Sequence, residues 1–220
     1  MTASSSRRVT SNQSGIHDDL QARVLRYRDT DFRKPPAIHS RKAFDTLNAI
    51  RAAHRGIPVI LDSGCGTGDS TRALAERYPD HLVIGIDRSF ARLTREREPL
   101  PANAKLVRGN LMDIYPMMAG DSWQLARHYL LYPNPYPKAA HLTRRWHASP
   151  VFPSILALGG MIELRTNWRI YAEEFAHALT VYNCEASLEE VLAVSNPLTP
   201  FERKYHASGH RLWRVVARNP

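Results

Sequence analysis

Asp62, Gly64, Gly66, Gly68 and Asp87 are spaced to hold a nucleoside that carries a positive charge. The apolar run Val59-Ile60-Leu61 ends in Asp62-Ser63-Gly64-Cys65-Gly66-Thr67-Gly68-Asp69. Glycines where a strand turns into a helix let a ligand approach the backbone at points any side chain would fill. The dinucleotide fingerprint is G-x-G-x-x-G. Here the spacing is G-x-G-x-G, and Asp69 stands where the third fingerprint glycine would be. Asp62 would also lie beside a pyrophosphate, which is electrostatically wrong for a dinucleotide. The same carboxylate suits the ammonium of an amino-acid moiety. Asp87 closes a second apolar run, Val83-Ile84-Gly85-Ile86, and a carboxylate there accepts both hydroxyls of a ribose. The ligand that joins these two features is S-adenosyl-L-methionine, and that is the expected cofactor.

A second cluster begins at Leu131-Tyr132-Pro133-Asn134-Pro135-Tyr136-Pro137-Lys138. It follows an expected parallel strand, whose carboxyl end is where such sheets bind ligands. The prolines restrict the loop so that Asn134 and Tyr136 project stiffly. Lys138, His141, Arg144, Arg145 and His147 come next, with no acid before Glu163. Lys138, Arg144 and Arg145 suit phosphate contacts, and Tyr136 suits stacking on a base. A proline-rich loop beside a solvated basic helix is the plainer alternative.

The elements that must position these residues alternate. Residues 1–15 are rich in Ser, Thr, Asn and Arg without periodicity and are expected to form a disordered basic arm. Helical spacing runs over 16–27 and 41–53, separated by the basic loop Arg33-Lys34-Pro35-Pro36. Together 16–56 read as a helical extension to a core spanning 57–220, the whole forming one domain. In that core, strands are expected at 57–61, 81–86, 105–107, 124–132, 161–164, 186–194 and 211–217. Helices are expected at 67–78, 89–98, 139–147, 150–158 and 168–181, with a loop joining the last two strands. Such alternation predicts an α/β fold, a three-layer arrangement around a mostly parallel sheet.

Thirty Lys and Arg against twenty-one Asp and Glu give a net charge of +9. Residues 1–57 hold 11 basic and 5 acidic side chains, 58–137 hold 9 and 9, and 138–220 hold 10 and 7. A neutral middle flanked by basic segments suggests a polyanion partner. Two cysteines exclude a disulfide framework and a Cys-based zinc site. His206 and His210 are four apart but lack a third ligand, so no metal is expected. Cys65 reads as a small filler, Ser63 lacks a G-x-S-x-G elbow, and Trp168, Tyr171 and Phe175 read as core. No apolar run reaches the length of a membrane span, and the N-terminus lacks a secretory stretch, so a cytoplasmic protein is expected.

The glycine loop and its two acids resemble those of the Rossmann-like S-adenosylmethionine-dependent methyltransferases. That superfamily implies a seven-stranded sheet with the last strand antiparallel, and adenine over the end of the third strand, here Gly109-Asn110-Leu111. Three later motifs resemble the bacterial tRNA (guanine-N7-)-methyltransferases, whose loop reads F-P-D-P-W-x-K before a basic run. The counterparts here are Tyr132 to Lys138 and Ala140 to Arg145. Gly159-Gly160 with Arg165-Thr166-Asn167-Trp168 and Tyr171-Ala172-Glu173 matches the family's G-G strand ending in Thr-Asp. Thr199-Pro200-Phe201-Glu202-Arg203-Lys204, then Gly209-His210, matches its C-terminal T-x-F-E motif.

The resemblance implies methyl transfer to N7 of a guanine in the tRNA variable loop, by a monomer or homodimer. It places Asp62, Gly64, Gly66, Gly68, Asp87, Asn110, Leu111 and Asn134 around the cofactor, with Asn134 at the transferred methyl. Lys138, Asn167, Thr199, Pro200, Phe201 and Glu202 would hold the guanine nucleotide, helped by Tyr136, Arg144 and Arg145. Two family aspartates are amides here, Asn134 and Asn167, which leaves Glu202 as the carboxylate to read the base. The amides keep two alternatives open: a paralogue acting on another nucleoside or planar amine, and a silent protein binding cofactor and tRNA.

Overall fold

The fold is described from a computed structural model, for residues 6–192 and 196–219. β1 (Val59–Ser63) and β2 (Leu82–Asp87) are buried at every position. Apolar runs without alternation belong to parallel strands covered on both faces, and β1 pairs in parallel with β2, Val59 opposite Leu82. β2 pairs in parallel with β3 (Ala104–Arg108), and β1 with β4 (Arg127–Leu131). With β5 (Gly160–Thr166), β6 (Ala186–Glu190) and β7 (Trp213–Asn219), the seven strands take the order β3-β2-β1-β4-β5-β7-β6. β7 runs antiparallel to β6, with Ala186 opposite Ala217. This is the α/β, mostly parallel sheet that the alternation predicts, with the antiparallel last strand that the superfamily resemblance implies.

The chain forms two compact units. A central unit draws on residues 33–130 and 154–161, and a terminal unit on residues up to 32, on 131–153 and on those from 162 onward. In the central unit, α3 (Asp69–Arg77) packs on β2 and β3, and α2 (Ile38–Ala53) on β3 and α5 (Leu111–Gly120). Ile60, Leu61, Leu74, Val83, Ile84, Ile86, Ile114 and Met118 are completely buried there. Each such side chain contributes about 1.5–3 kcal/mol by leaving water. In the terminal unit, α7 (Arg169–Val181) packs on α1 (Leu20–Arg28), β6 and β7, burying Phe175, Leu179 and Val215.

The expected helix over 89–98 shrinks to α4 (Phe90–Leu93), which buries no residue. Residues 94–98 have no apolar face to dock, and Pro99 disfavours helical geometry at Glu98. Two helices arise where the sequence reading places none. α5 is capped by Asn110, whose side chain accepts from the Met112 N–H, and it tolerates Pro116 within it. α8 (Pro200–Ala207) occupies the expected loop between the last two strands. The basic stretch 139–147 is two 3-10 turns, Ala139–Arg144 and Trp146–Ala148, interrupted by an extended Arg145. α6 (Phe152–Ala157) follows. Residues 193–194 of the expected sixth strand lie outside the described residues, as do 1–5 of the expected arm.

From Ser6 onward the arm has no regular structure, yet it is tethered. Ser11 Oγ donates to the Pro137 carbonyl, the Ala139 N–H donates to Asn12, and Arg145 donates to Gln13. The expected extension 16–56 divides, α1 falling in the terminal unit and α2 in the central one. Among the described residues, no helix is long and apolar enough to cross a membrane.

Candidate functional site

In the central unit, Asp62, Asp87 and Asn110 lie at the carboxyl ends of β1, β2 and β3. Asp62 is buried, and the hydroxyls of Ser70 and Thr71 in α3 donate to its Oδ2 at 2.6 and 2.7 Å. Its other oxygen has no hydrogen-bond partner among the described residues. Burial pushes the carboxyl up to about 6, with Asp87 adding to the rise and the two hydroxyls opposing it. Asp87 Oδ2 accepts from the Gly66 N–H at 3.0 Å, and Oδ1 from the Ser89 N–H at 2.8 Å, with Arg92 Nη2 3.0 Å away. Gly64, Gly66 and Gly68 all have positive φ, and a Cβ on Gly64 or Gly66 would meet no atom within 4 Å. The space a side chain would take there is open beside the backbone. Gly85 is needed for a different reason: a Cβ on it would collide with Thr71 Oγ1, one of the hydroxyls that hold Asp62.

This donor set fits S-adenosylmethionine. A buried acid with one open oxygen suits a cationic amino-acid group, and Asp87 retains acceptor capacity for a ribose hydroxyl. Both ends of the Asn110 amide already serve α5, Oδ1 accepting from Met112 and Nδ2 reaching Asp113 at 3.5 Å. Leu111 opens that helix and is buried. Burial and the two aspartates push the Cys65 thiol up, which agrees with a filler rather than a nucleophile.

In the terminal unit, Asn134 and Lys138 are exposed, while Tyr136 is half-buried at φ 45°. The Arg144 guanidinium, itself exposed, lies 5.8 Å from the Tyr136 ring centroid. Arg145 corrects the expectation of a phosphate contact, because it is fully buried. Its Nη1 pairs with Glu174 at 2.5 Å, and it also donates to the Tyr136 and Lys138 carbonyls. Burial raises the Glu174 carboxyl, but His147 and Arg145 outweigh it and hold the group down at about 2. Arg145 is therefore a brace beneath the loop.

Glu202 departs from its expected role in the same way. It is fully buried, and its oxygens accept from the Tyr132 hydroxyl at 3.2 Å, Arg165 at 2.6 Å and the Leu198 N–H at 2.6 Å. Thr199 caps α8 by accepting from the Glu202 N–H, while Pro200 and Phe201 are exposed on its first turn. Glu202 thus ties the loop after β4, the end of β5 and the start of α8 together, with no oxygen turned to a base. Asn167 follows β5, and its Nδ2 lies 3.2 Å from His210 Nδ1.

Sequence reasoning missed Ser70 and Thr71, which hold Asp62, and Glu174, which holds Arg145. Glu174 does leave a signal, a lone acid on the buried face of α7 between Tyr171 and Phe175. His210, which the sequence reading places in the Gly209-His210 motif without a role, proves to be a partner of Asn167.

The comparisons agree with this geometry. A family model described as "Putative methyltransferase" matches residues 57–215. A tRNA (guanine-N(7)-)-methyltransferase of Thiobacillus denitrificans is 30% identical over 187 residues, covering 78% of this chain and 79% of that protein. One from Mycolicibacterium gilvum is 32% identical over 174 residues, covering 68% of this chain, which spans 63% of that relative's length. Among solved structures, an antibiotic-related methyltransferase superposes with a TM-score of 0.58 at 14% identity, covering 87% of this chain and 97% of its own. A 16S rRNA (adenine(1408)-N(1))-methyltransferase from Catenulisporales acidiphilia, crystallised with SAM as cosubstrate, gives 0.56 at 15% identity, covering 86% and 92%. Those structures establish the fold, and the sequence relatives establish the family. The chain belongs to the tRNA (guanine-N7-)-methyltransferases.

Proposed function

We propose that this protein transfers a methyl group from S-adenosylmethionine to N7 of a guanine in tRNA. The observation that carries the reading is Asp62, a buried carboxylate with one oxygen unpartnered among the described residues, beside an open glycine loop in a chain of this family. When bound, S-adenosylmethionine supplies a methyl group on a positively charged sulfur. Asp62 receives the ammonium, Asp87 the ribose hydroxyls, and the Asn110-Leu111 backbone supports the adenine edge.

Guanine N7 carries its own lone pair, so the protein need not remove a proton from it. A purine methylated at N7 would carry a positive charge. The protein supplies alignment and tolerance of that charge. Asn134, exposed on the proline loop, is the amide that the family resemblance assigns to the methyl-transfer step. Asn167 receives the base, with the exposed Phe201 and the half-buried Tyr136 as apolar surfaces for it. Lys138 and Arg144 contact phosphates, while Arg145 and Glu202 position the segments that carry these groups. Residues 16–220 work as one methyltransferase domain, in the cytoplasm, on tRNA; the alternatives based on the two amides gain no support from relatives named uniformly for guanine-N7 transfer.

The test is transfer from labelled S-adenosylmethionine to unmodified tRNA, with the digested product identified by mass and chromatography. 7-Methylguanosine is the expected product. Cofactor binding with no methylated nucleoside, or with a different one, would overturn the reading.

A further inference from the structure

His210 sits between two partners of unlike kind. Its Nε2 lies 2.9 Å from the Ser6 carbonyl oxygen and its Nδ1 lies 3.2 Å from Asn167 Nδ2. Tyr205 of α8 stacks on the ring, centroids 5.2 Å apart and planes 21° from parallel. The ring therefore has little freedom to turn. Asn167 and His210 line a cleft of about 260 Å³ together with Arg8, Val9, Arg169, Gly209, Arg211 and Trp213.

A carbonyl oxygen can only accept, so Nε2 must carry the hydrogen. In a neutral imidazole Nδ1 is then a lone pair, which can only accept. Asn167 must answer with its NH₂ end. Its Oδ1 is thereby turned away from His210, and that oxygen accepts no hydrogen bond among the described residues. An amide otherwise has two faces of opposite character, a donor end and an acceptor end, related by a half-turn. Guanine presents N1–H and N2–H₂, both donors, on one edge. A carboxylate meets that edge with an oxygen however it is turned, but an asparagine does so in only one of its two orientations.

We infer that His210 is a specificity-determining positioning residue, which locks the Asn167 amide with its oxygen toward the donor edge of the guanine. The inference rests on the reading that Asn167 receives the base. The backbone of the N-terminal segment, through the Ser6 carbonyl, sets the tautomer, so residues far apart in sequence decide one hydrogen-bond polarity. The device compensates for the amide that stands where the family has aspartate.

The test compares wild type, His210→Ala, Asn167→Asp and the double variant. The substrates are an unmodified tRNA transcript and one carrying inosine, which lacks the N2 amine, at the guanosine that wild type methylates. His210→Ala is expected to lower kcat/KM on the guanosine transcript about tenfold and to erase most of the preference for guanosine over inosine. In the Asn167→Asp background, the same replacement is expected to cost less than about twofold, because a carboxylate needs no orienting. The preference is a ratio measured on active molecules, so a partly unfolded variant does not distort it. A guanosine preference unchanged by His210→Ala overturns the inference, as does an equal cost in both backgrounds. Wild type that binds cofactor yet forms no 7-methylguanosine removes the underlying reading instead, and the inference falls with it.

Discussion

The two units use carboxylates in opposite ways. In the central unit, Asp62 is buried with one oxygen unpartnered among the described residues, and its carboxyl is pushed up to about 6. In the terminal unit, Glu174 and Glu202 are buried just as deeply, yet Arg145, His147, Arg165 and Tyr132 fill their oxygens. The buried acid of the first unit keeps an oxygen open, and those of the second serve as internal braces. Burial alone does not mark an acid as functional; the unfilled valence does. At its surface the terminal unit carries the amide of Asn134, the ring of Phe201 and the cations of Lys138 and Arg144.

That contrast breaks most visibly at Glu174. Glu174→Ala leaves the Arg145 cation buried without its carboxylate and is expected to cost about 3–5 kcal/mol of unfolding free energy. Denaturant titration reads this directly, and a loss below about 1 kcal/mol would refute the brace. Because the folded carboxyl lies below its usual 4.5, its contribution is present at neutral pH and disappears as pH falls from there toward about 2.

Asp62→Asn should do the reverse. Loss of the ammonium's partner is expected to weaken S-adenosylmethionine binding by roughly 100-fold at pH 8, measured by calorimetry. Stability should not fall. A raised carboxyl penalises the folded state above about 6 and relieves it as pH drops toward 4, so removing the charge leaves the melting temperature at pH 8 unchanged or higher. Wild-type affinity should also weaken as pH falls through about 6, whereas the amide of the Asp62→Asn variant has no proton to gain there. Equal pH profiles for the two proteins would assign the ammonium to another group.

The second family amide sharpens the comparison from the other side. Asn134→Asp brings an unfilled carboxylate to the terminal unit and is expected to raise guanine-N7 turnover by about three- to tenfold through stabilising the charged purine. Unchanged or lower turnover counts against that account. The smallest effect separates two neighbours. Arg144→Ala is expected to leave folding unaltered and to reduce the salt dependence of tRNA binding by about one unit of slope. Arg145→Ala should instead lower stability, and a matching change in salt slope for both would dissolve the distinction between brace and contact.

Much of this is legible in the sequence. Asp62, the loop glycines and Asp87 announce themselves because an acid flanking a glycine turn is a local pattern with local physics. α8 is equally legible in principle, since Thr199-Pro200-Phe201-Glu202 is a capping box with proline at the first helical position. The preceding Asn-Pro and Thr-Pro pairs, weighed as loop residues, hide it. α5 is masked by Pro116. Arg144 and Arg145 differ for a reason no local window contains. They are the same residue type side by side, and the choice between water and core is made by Glu174, 29 positions later. Glu202 is hidden likewise, since Arg165 lies 37 positions away and Tyr132 70. Motif identity transmits which segments matter, but not which side chains face the ligand and which face each other.

The way the units divide the chain also sets an order of assembly on the ribosome. Nearly all of the central unit is one stretch, residues 33–130, complete soon after it leaves the exit tunnel. The terminal unit cannot close until its later segments are made, because Gln13 awaits Glu174 and Ser6 awaits His210. Chains fold by units as synthesis proceeds, so a nascent chain would complete the central unit, with Asp62 and the glycine loop, well before the terminal one. The arm is then fastened in stages: Ser11 and Asn12 find their partners once Pro137 and Ala139 are made, and Ser6 only when the stretch carrying His210 is complete.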